Sequence, residues 1–285
     1  MELHSDLFIQ KERFKTKYDK HAEEVYILTE NESGATRLGD DVLWTVNMSI
    51  LAYVDIETGE LFKGKKTMSW LSSEEERRLE DYGLNLKPQT IYRVKIRKSL
   101  PYVNKYSETL FEYGEYFMLD EVLERDCHHL ELEEILKEYQ KEVIIRPDGC
   151  HDLLLDKALG LFSGSMIWNG KECSLHLDAD DDEAITADEA IDTLQKLLSH
   201  SQEWEEKIRL YAAEYLTDIA NDWSEDIKVE LSVEEFNKRM RLDNISVMTE
   251  GDFEFFFNDD GMIGGHDIVV SGNIDKGLDD ANIIG

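Results

Sequence analysis

The first sustained alternation of apolar and polar positions lies at residues 42–71. "VLWTVNMSILAYVDI" and "LFKGKKTMSWL" are separated by the turn sequence "ETGE", and the pattern predicts a β-hairpin. "SSEEERRLEDYGL" follows as a short helix. Either Ser72 with Glu75 or Ser73 with Glu76 can form its capping box, and Gly83 supplies a stop. In "TIYRVKIRKSL", Tyr92, Val94 and Ile96 fall on one face and Arg93, Lys95 and Arg97 on the other. "EYFMLDEVLERD" reads as a further strand and "LELEEILKEYQKEV" as an amphipathic helix. The N-terminal part is therefore expected to be a strand-rich curled sheet or small barrel with helical additions.

The second half changes rhythm. "GLFSGSMIWNGKECSLHLD" places Asn169-Gly170 between two alternating runs, a strong hairpin signal, with Cys173, Leu175 and Leu177 facing inward and His176 outward. Apolar positions Ala187, Ala190, Ile191, Leu194, Leu197 and Leu198 recur at helical spacing, which predicts a helix over about 186–199. A second helix opens at Ser201 with Trp204, Ile208, Tyr211, Tyr215, Leu216 and Ile219 as its expected buried stripe. A third opens at "LSVEEF", where Ser232 and Glu235 have capping-box spacing. "NISVMTEGDFEFFFNDDGMIGGHDIVVSGNI" reads as a three-stranded meander. The expected class is α+β in two domains, residues 1–146 and 147–285, the second built as hairpin, helices, meander.

Charge sharpens this picture. The 285 residues carry 63 acids against 31 bases, a net of −32. Residues 1–150 hold 31 acids and 21 bases, net −10; residues 151–285 hold 32 and 10, net −22. Such a field attracts basic partners and repels nucleic-acid phosphates and anionic membranes. No apolar run approaches the ~20 residues that span a bilayer, and no signal-peptide core stands at the N-terminus. Cys127, Cys150 and Cys173 are an odd number, which implies no disulfide framework. A cytoplasmic protein is expected.

Several segments carry candidate chemistry. In "HLDADDDEAITADEAIDTL" (176–194), Asp178, Asp180 and Asp182 fall at positions 1, 3 and 5 of an EF-hand loop. Glu183 stands where that loop needs glycine, and a strand leads into it, so metal binding is not expected there. Thr186 and Glu189 instead have capping-box spacing, and acids ahead of a helix are favoured by its dipole. Asp178, Asp180, Asp181 and Asp182 then become a candidate surface for a basic partner. "DCHHL" and "GCHD" place Cys127 and Cys150 beside histidines; adjacent Cys-His pairs point apart, and convergence of the two segments on a metal is left open. "GELFKGKK" (59–66) lacks the Ser/Thr of a P-loop and reads as strand. His266, after Gly264-Gly265, is the one candidate general base. Arg93, Lys95 and Arg97, near Tyr92, Tyr102 and Tyr106, form a basic stripe of the kind that holds single-stranded nucleic acid, although pairing with neighbouring acidic strands is the favoured explanation.

Residues from roughly 155 to 285 resemble a bacterial family known as domain of unknown function 2262. The resemblance is carried by "MIWNGKECSLHLD", "ANDW", "SVEEFNKRM", "FEFFF", the Gly265-His266 pair before "DIVV" and a terminal "ANIIG". This chain has "MIGGH" where members place an aromatic before Gly-His, and Asn282 where an acid is usual. The resemblance implies an α+β fold and a bacterial or phage origin, and no activity. The reading that follows is a non-enzymatic acidic module docking on a basic protein, as immunity proteins or inhibitors do, with no cofactor. The alternatives are a hydrolase-like enzyme using His266 and an acid, and single-stranded nucleic-acid binding by the N-terminal sheet.

Overall fold

The computed structural model describes residues 2–31, 33–39, 41–79, 82–84, 86–103, 108–180, 185–223 and 231–285. The fold is α+β, and the chain divides into two compact units, Met1–Lys141 and Glu142–Gly285.

The first unit runs α1 (Glu2–Lys15), β1 (Glu23–Thr29), β2 (Gly34–Thr36), β3 (Trp44–Asp55), β4 (Leu61–Ser72), α2 (Glu74–Arg77), β5 (Ile91–Lys98), β6 (Tyr102–Val103), β7 (Leu110–Phe111), β8 (Tyr116–Glu124) and α3 (Leu130–Tyr139). Strand β1 pairs antiparallel with both β5 and β3, so the order β1-β5-β8-β4-β3 returns upon itself. The sheet is curled and ring-like rather than a barrel. Alternation puts Val25, Ile27, Val46, Met48, Ile50, Val94, Ile96 and Phe117 inside it. Leu132 of α3 covers Leu28, Ala52, Val54 and Ile91 on the other side. The hairpin β3–β4 forms where the alternation placed it; Asp55 accepts the Thr58 N–H at 2.8 Å within the turn. Of the two capping boxes the sequence offered, Ser73 with Glu76 is the one made. Strand β1 and helix α1 were not read from the pattern.

The second unit runs β9 (Ile144–Ile145), β10 (Leu153–Asp156), β11 (Leu161–Trp168), β12 (Lys171–Asp178), α4 (Asp188–Ser199), α5 (Ser201–Trp223), α6 (Val233–Arg239), β13 (Arg241–Val247), β14 (Asp252–Asn258), β15 (Asp267–Asn273) and β16 (Gly277–Ile284). Its eight strands lie in the order β16-β15-β14-β13-β12-β11-β10-β9. Every pairing is antiparallel except β12–β13, where the three helices supply the crossover a parallel pair needs. Asn169 (φ 47°) and Gly170 (φ 83°) close the β11–β12 hairpin with the two positive φ values of a type I′ turn.

The helices cover one face of this sheet. Phe162, Trp168, Leu175, Ile245, Phe253, Phe255, Phe257 and Val270 are buried there against Ala190, Leu194, Ile208, Ala212, Leu216 and Phe236. Rings meet edge to face, Trp168 with Phe255 at 5.2 Å and Trp204 with Phe253 at 5.3 Å, a geometry worth about 0.5–1.5 kcal/mol per pair beyond area burial.

Three expectations need correction. The buried stripe of α5 is Ile208, Ala212, Ala213, Leu216 and Ala220, whereas Tyr215 is 58% and Ile219 38% exposed. Alanines let the helix approach the sheet closely, and tyrosine keeps its hydroxyl wet at the margin. The three expected strands of the meander form as β13, β14 and β15, but "GLDDANII" adds a fourth, β16, beside β15, and its acids masked the strand pattern. Helix α6 takes a hydrogen bond from Glu235 N to Ser232 Oγ at 3.2 Å, but the reciprocal half of the box is not made.

Gly164 in β11 explains itself by crowding: a Cβ there would lie 2.5 Å from Leu153 Cδ2 and 2.6 Å from the Asp152 carbonyl oxygen. We expect Gly164→Ala to lower stability by about 1–3 kcal/mol, the usual cost of overpacking, as read by chemical denaturation. Unchanged stability would mean that β10 yields freely.

Candidate functional site

The acidic approach to α4 is tied down by one of its own acids. Asp180 accepts hydrogen bonds from the Thr186 hydroxyl (2.6 Å), the Asp188 N–H (2.6 Å) and the Glu189 N–H (3.3 Å). Its own N–H donates to the Thr186 carbonyl at 2.8 Å, and Ile185 turns the chain at φ 52°. The expected Thr186–Glu189 capping box is not formed. The helix begins one residue later, after Ala187, and Asp180 caps it from across the loop. Glu189 instead accepts the Glu250 N–H at 3.3 Å. Burial raises the Asp180 pKa, but the three donors outweigh it and hold the group below the usual carboxylate range. Asp178, at the end of β12, goes the other way: burial pushes it up against a backbone hydrogen bond with Thr249. Asp181 and Asp182 lie outside the described residues.

His266 ends a glycine-rich loop that a buried carboxylate organises. Asp259, 1% exposed, accepts the N–H groups of Gly261 (2.9 Å), Ile263 (2.6 Å) and Gly265 (3.1 Å). Asp260, Gly261, Gly264 and Gly265 all take positive φ, which aims those donors inward. A Cβ added at Gly285 would stand 3.0 Å from His266 Nδ1, so the ring packs against the backbone there. Asp259 was not singled out in the sequence, where its only signal is the "NDDG" turn.

The basic stripe of β5 is paired along its length. Arg93 meets Glu24 (2.6 Å), Lys95 meets Glu121 (3.0 Å), Arg97 meets Asp120 (3.0 Å) and Lys98 meets Glu23 (2.7 Å). Arg97 also donates to the Lys20 carbonyl at 2.7 Å. These partners raise the pKa of Arg93 and Lys95. Tyr102 stacks on Phe111 at 4.9 Å, while Tyr106 lies outside the described residues. In "GELFKGKK", Gly59 closes the hairpin turn, and Lys65 meets the buried Glu30 at 2.7 Å.

Cys127 belongs to the first unit and Cys150 to the second. Burial raises both thiols, and Cys173 to about 11, which keeps them protonated and poor as nucleophiles. His128 pairs with Glu133 at 3.0 Å and His129 packs on Tyr26 at 5.3 Å. Among the described residues no group of three or more His, Cys, Asp or Glu side chains is placed to hold a metal ion.

The sheet face opposite the helices carries a polar row that the sequence reading missed. Ser163, His176, Ser246, Glu254, Ser271 and Asp280 are cross-strand neighbours from β11 to β16. Ser163 Oγ lies 2.9 Å from His176 Nδ1. The next residue in the row is Ser246, so Glu254 stands two strand spacings along the sheet from His176, about 10 Å, and among the described residues no carboxylate is hydrogen-bonded to His176 as a triad requires.

The exposed face of α5 differs from all of these. Glu206, Leu210, Glu214, Asp218 and Asp222 are exposed at successive four-residue spacing. Stacked Tyr211 and Tyr215 (5.8 Å, 15°) and Ile219 run beside them. Among the described residues these four acids make no ion pair, and no base stands in the last turn of the helix. Asp279 and Asp280 of β16 lie near enough to raise Tyr211, after burial and the neighbouring Tyr215.

Residues 150–283 match the family described as an uncharacterized protein conserved in bacteria, domain of unknown function 2262, which agrees with the resemblance and its span. Residues 10–139 match a second family, domain of unknown function 7021. No curated protein and no solved structure matches the chain.

Removing the Asp180 cap should cost about 0.5–2 kcal/mol, the range for helix N-caps. Because the folded pKa is depressed, this contribution is present above the ordinary carboxylate pKa of about 3.9 and fades as pH falls through the lower folded value. We expect Asp180→Ala to be destabilised at pH 7 and to converge on the parent in acid, in denaturation series across pH. A pH-independent gap would show that the side chain acts through packing.

Proposed function

We propose that the C-terminal unit is a protein-binding module that meets a basic partner, and that the acidic ladder of α5 is the centre of its docking surface. The ladder is the observation that carries this reading. Like charges four apart on a helix repel by about 0.2–0.5 kcal/mol per pair, and Asp218 and Asp222 stand at the end where the dipole favours cations. The arrangement costs the helix stability, and a cationic surface laid on it relieves that cost. The exposed Tyr215, Leu210 and Ile219 supply apolar and aromatic contact between the charges.

The N-terminal unit supports the contrast. The bases of β5 are spent on acids of the same unit: Arg93, Lys95, Arg97 and Lys98 are each paired. The same pairing weighs against single-stranded nucleic acid on β5, since counterion-releasing contacts need unpaired cations. Membership of an immunity- or inhibitor-like class belongs to the same reading. Among the described residues no helix is long and apolar enough to cross a membrane.

The test is capture from the native host with the full chain as bait, followed by association kinetics with the protein recovered. The partner should be basic, and the on-rate should fall steeply between low and physiological salt. Glu214→Lys combined with Asp218→Lys should abolish capture without loss of thermal stability, because it relieves repulsion within the helix. Reversal at Asp181 and Asp182 asks whether the α4 loop shares the interface. Undiminished capture by the α5 variant would remove the ladder from the interface, and a neutral or acidic partner would overturn the reading.

A further inference from the structure

In the N-terminal unit a cleft of about 370 Å³ opens between α1 and the sheet, lined by Lys11, Phe14, Lys15, Trp70, Leu84 and Met118, among others. Its volume falls in the range that holds small ligands. Trp70 is 5% exposed, and its indole Nε1 is buried with no hydrogen-bond partner. An orphaned donor of this kind costs about 1–3 kcal/mol. Trp168 Nε1 has the same defect inside the C-terminal core; Trp70 belongs to the N-terminal core cluster and in addition lines this cleft.

The charges around the cleft are not equivalent. Glu76 accepts the Ser73 N–H at the start of α2, Asp120 is paired with Arg97, and Glu121 is paired with Lys95. The acids of the wall are therefore occupied. Lys11 forms no ion pair among the described residues, and Lys15 has only an exposed contact with Glu12 at 3.6 Å, one turn along the same helix, which is worth little. Lys11, Lys15, the Trp70 side chain and an apolar floor line one space.

We propose that this cleft binds a small organic anion. Its flat apolar body lies on Phe14, Leu84 and Met118, and its anionic group is held by Lys11 and Lys15. An acceptor atom takes the Trp70 N–H. The site is independent of the α5 docking surface, so either can fail without the other.

The full chain, labelled with ¹⁵N, is titrated with 8-anilinonaphthalene-1-sulfonate and with its neutral analogue N-phenyl-1-naphthylamine. Trp70→Phe assigns the indole resonance. The sulfonate should bind saturably at one site and move the Trp70 Nε1–H signal, and the neutral analogue should bind more weakly. Lys11→Glu with Lys15→Glu, both on the exposed side of α1 and harmless to the core, should weaken the sulfonate about tenfold, equivalent to about 1.4 kcal/mol, and leave the neutral probe unchanged. A Trp70 resonance that stays in place at saturation, equal affinity for the two probes, or no saturable binding would each overturn the proposal.

Discussion

Phe253, Phe255 and Phe257 project from one side of β14, and burying three adjacent rings demands a continuous layer over the middle of the sheet. That demand organises the C-terminal unit. The covering helices are inserted between β12 and β13 and supply the long crossover that lets those two strands run parallel, the single exception in the sheet. The buried face of α5 must be small enough to reach the rings, hence its alanines, and the larger Tyr211 and Tyr215 are displaced to the margin. The polar row on the opposite face follows from the same alternation, since each inward phenylalanine sends its neighbours outward.

The two units handle charge by different means. In the first, cross-strand pairs satisfy the bases of β5, and Lys65 neutralises the buried Glu30. Glu74, held by Trp44 and Arg77, is drawn down to about 2. In the second, acids outnumber bases by 32 to 10 over residues 151–285, so full pairing is impossible by count alone. Several of those acids turn to backbone N–H groups instead, as Asp180 and Asp259 do, and a few meet bases, as Asp152 meets Arg146 and Asp260 meets Arg239.

How much of this was legible depended on whether the signal was local. Both hairpins, the alternation of β5, the positions of α4 to α6 and the Ser73–Glu76 box were readable because each rests on spacing within about 15 residues. The Thr186–Glu189 box was misread for the opposite reason: Asp180 competes for the same N–H groups from outside the helix, and nothing in the local spacing reports which oxygen wins. The polar row from Ser163 to Asp280 joins six strands through register alone and has no sequence signature. The cleft at Trp70 joins α1, β4 and β8, and α1 was not read at all. Acids also disguised β16, where Asp279 sits at a bulge and takes a hydrogen bond from Ser271 at 2.8 Å.

The acids can therefore be sorted by what they hold. Asp180 holds the start of α4, Asp259 holds the loop before His266, and Asp55 holds a hairpin turn. Only Asp180 lies in a run that looks chemically suggestive as sequence, yet all three accept hydrogen bonds from backbone donors and are accounted for by folding. Glu206, Glu214, Asp218 and Asp222 present the converse case. They lie in an ordinary helical pattern and make no ion pair among the described residues, and Glu214, Asp218 and Asp222 repel one another at four-residue spacing. A cluster rich in acids marks a turn or a cap when its carboxylates point into the backbone. Charge left over after those structural duties is what a partner could use, and among the described residues the exposed face of α5 carries such charge at regular spacing.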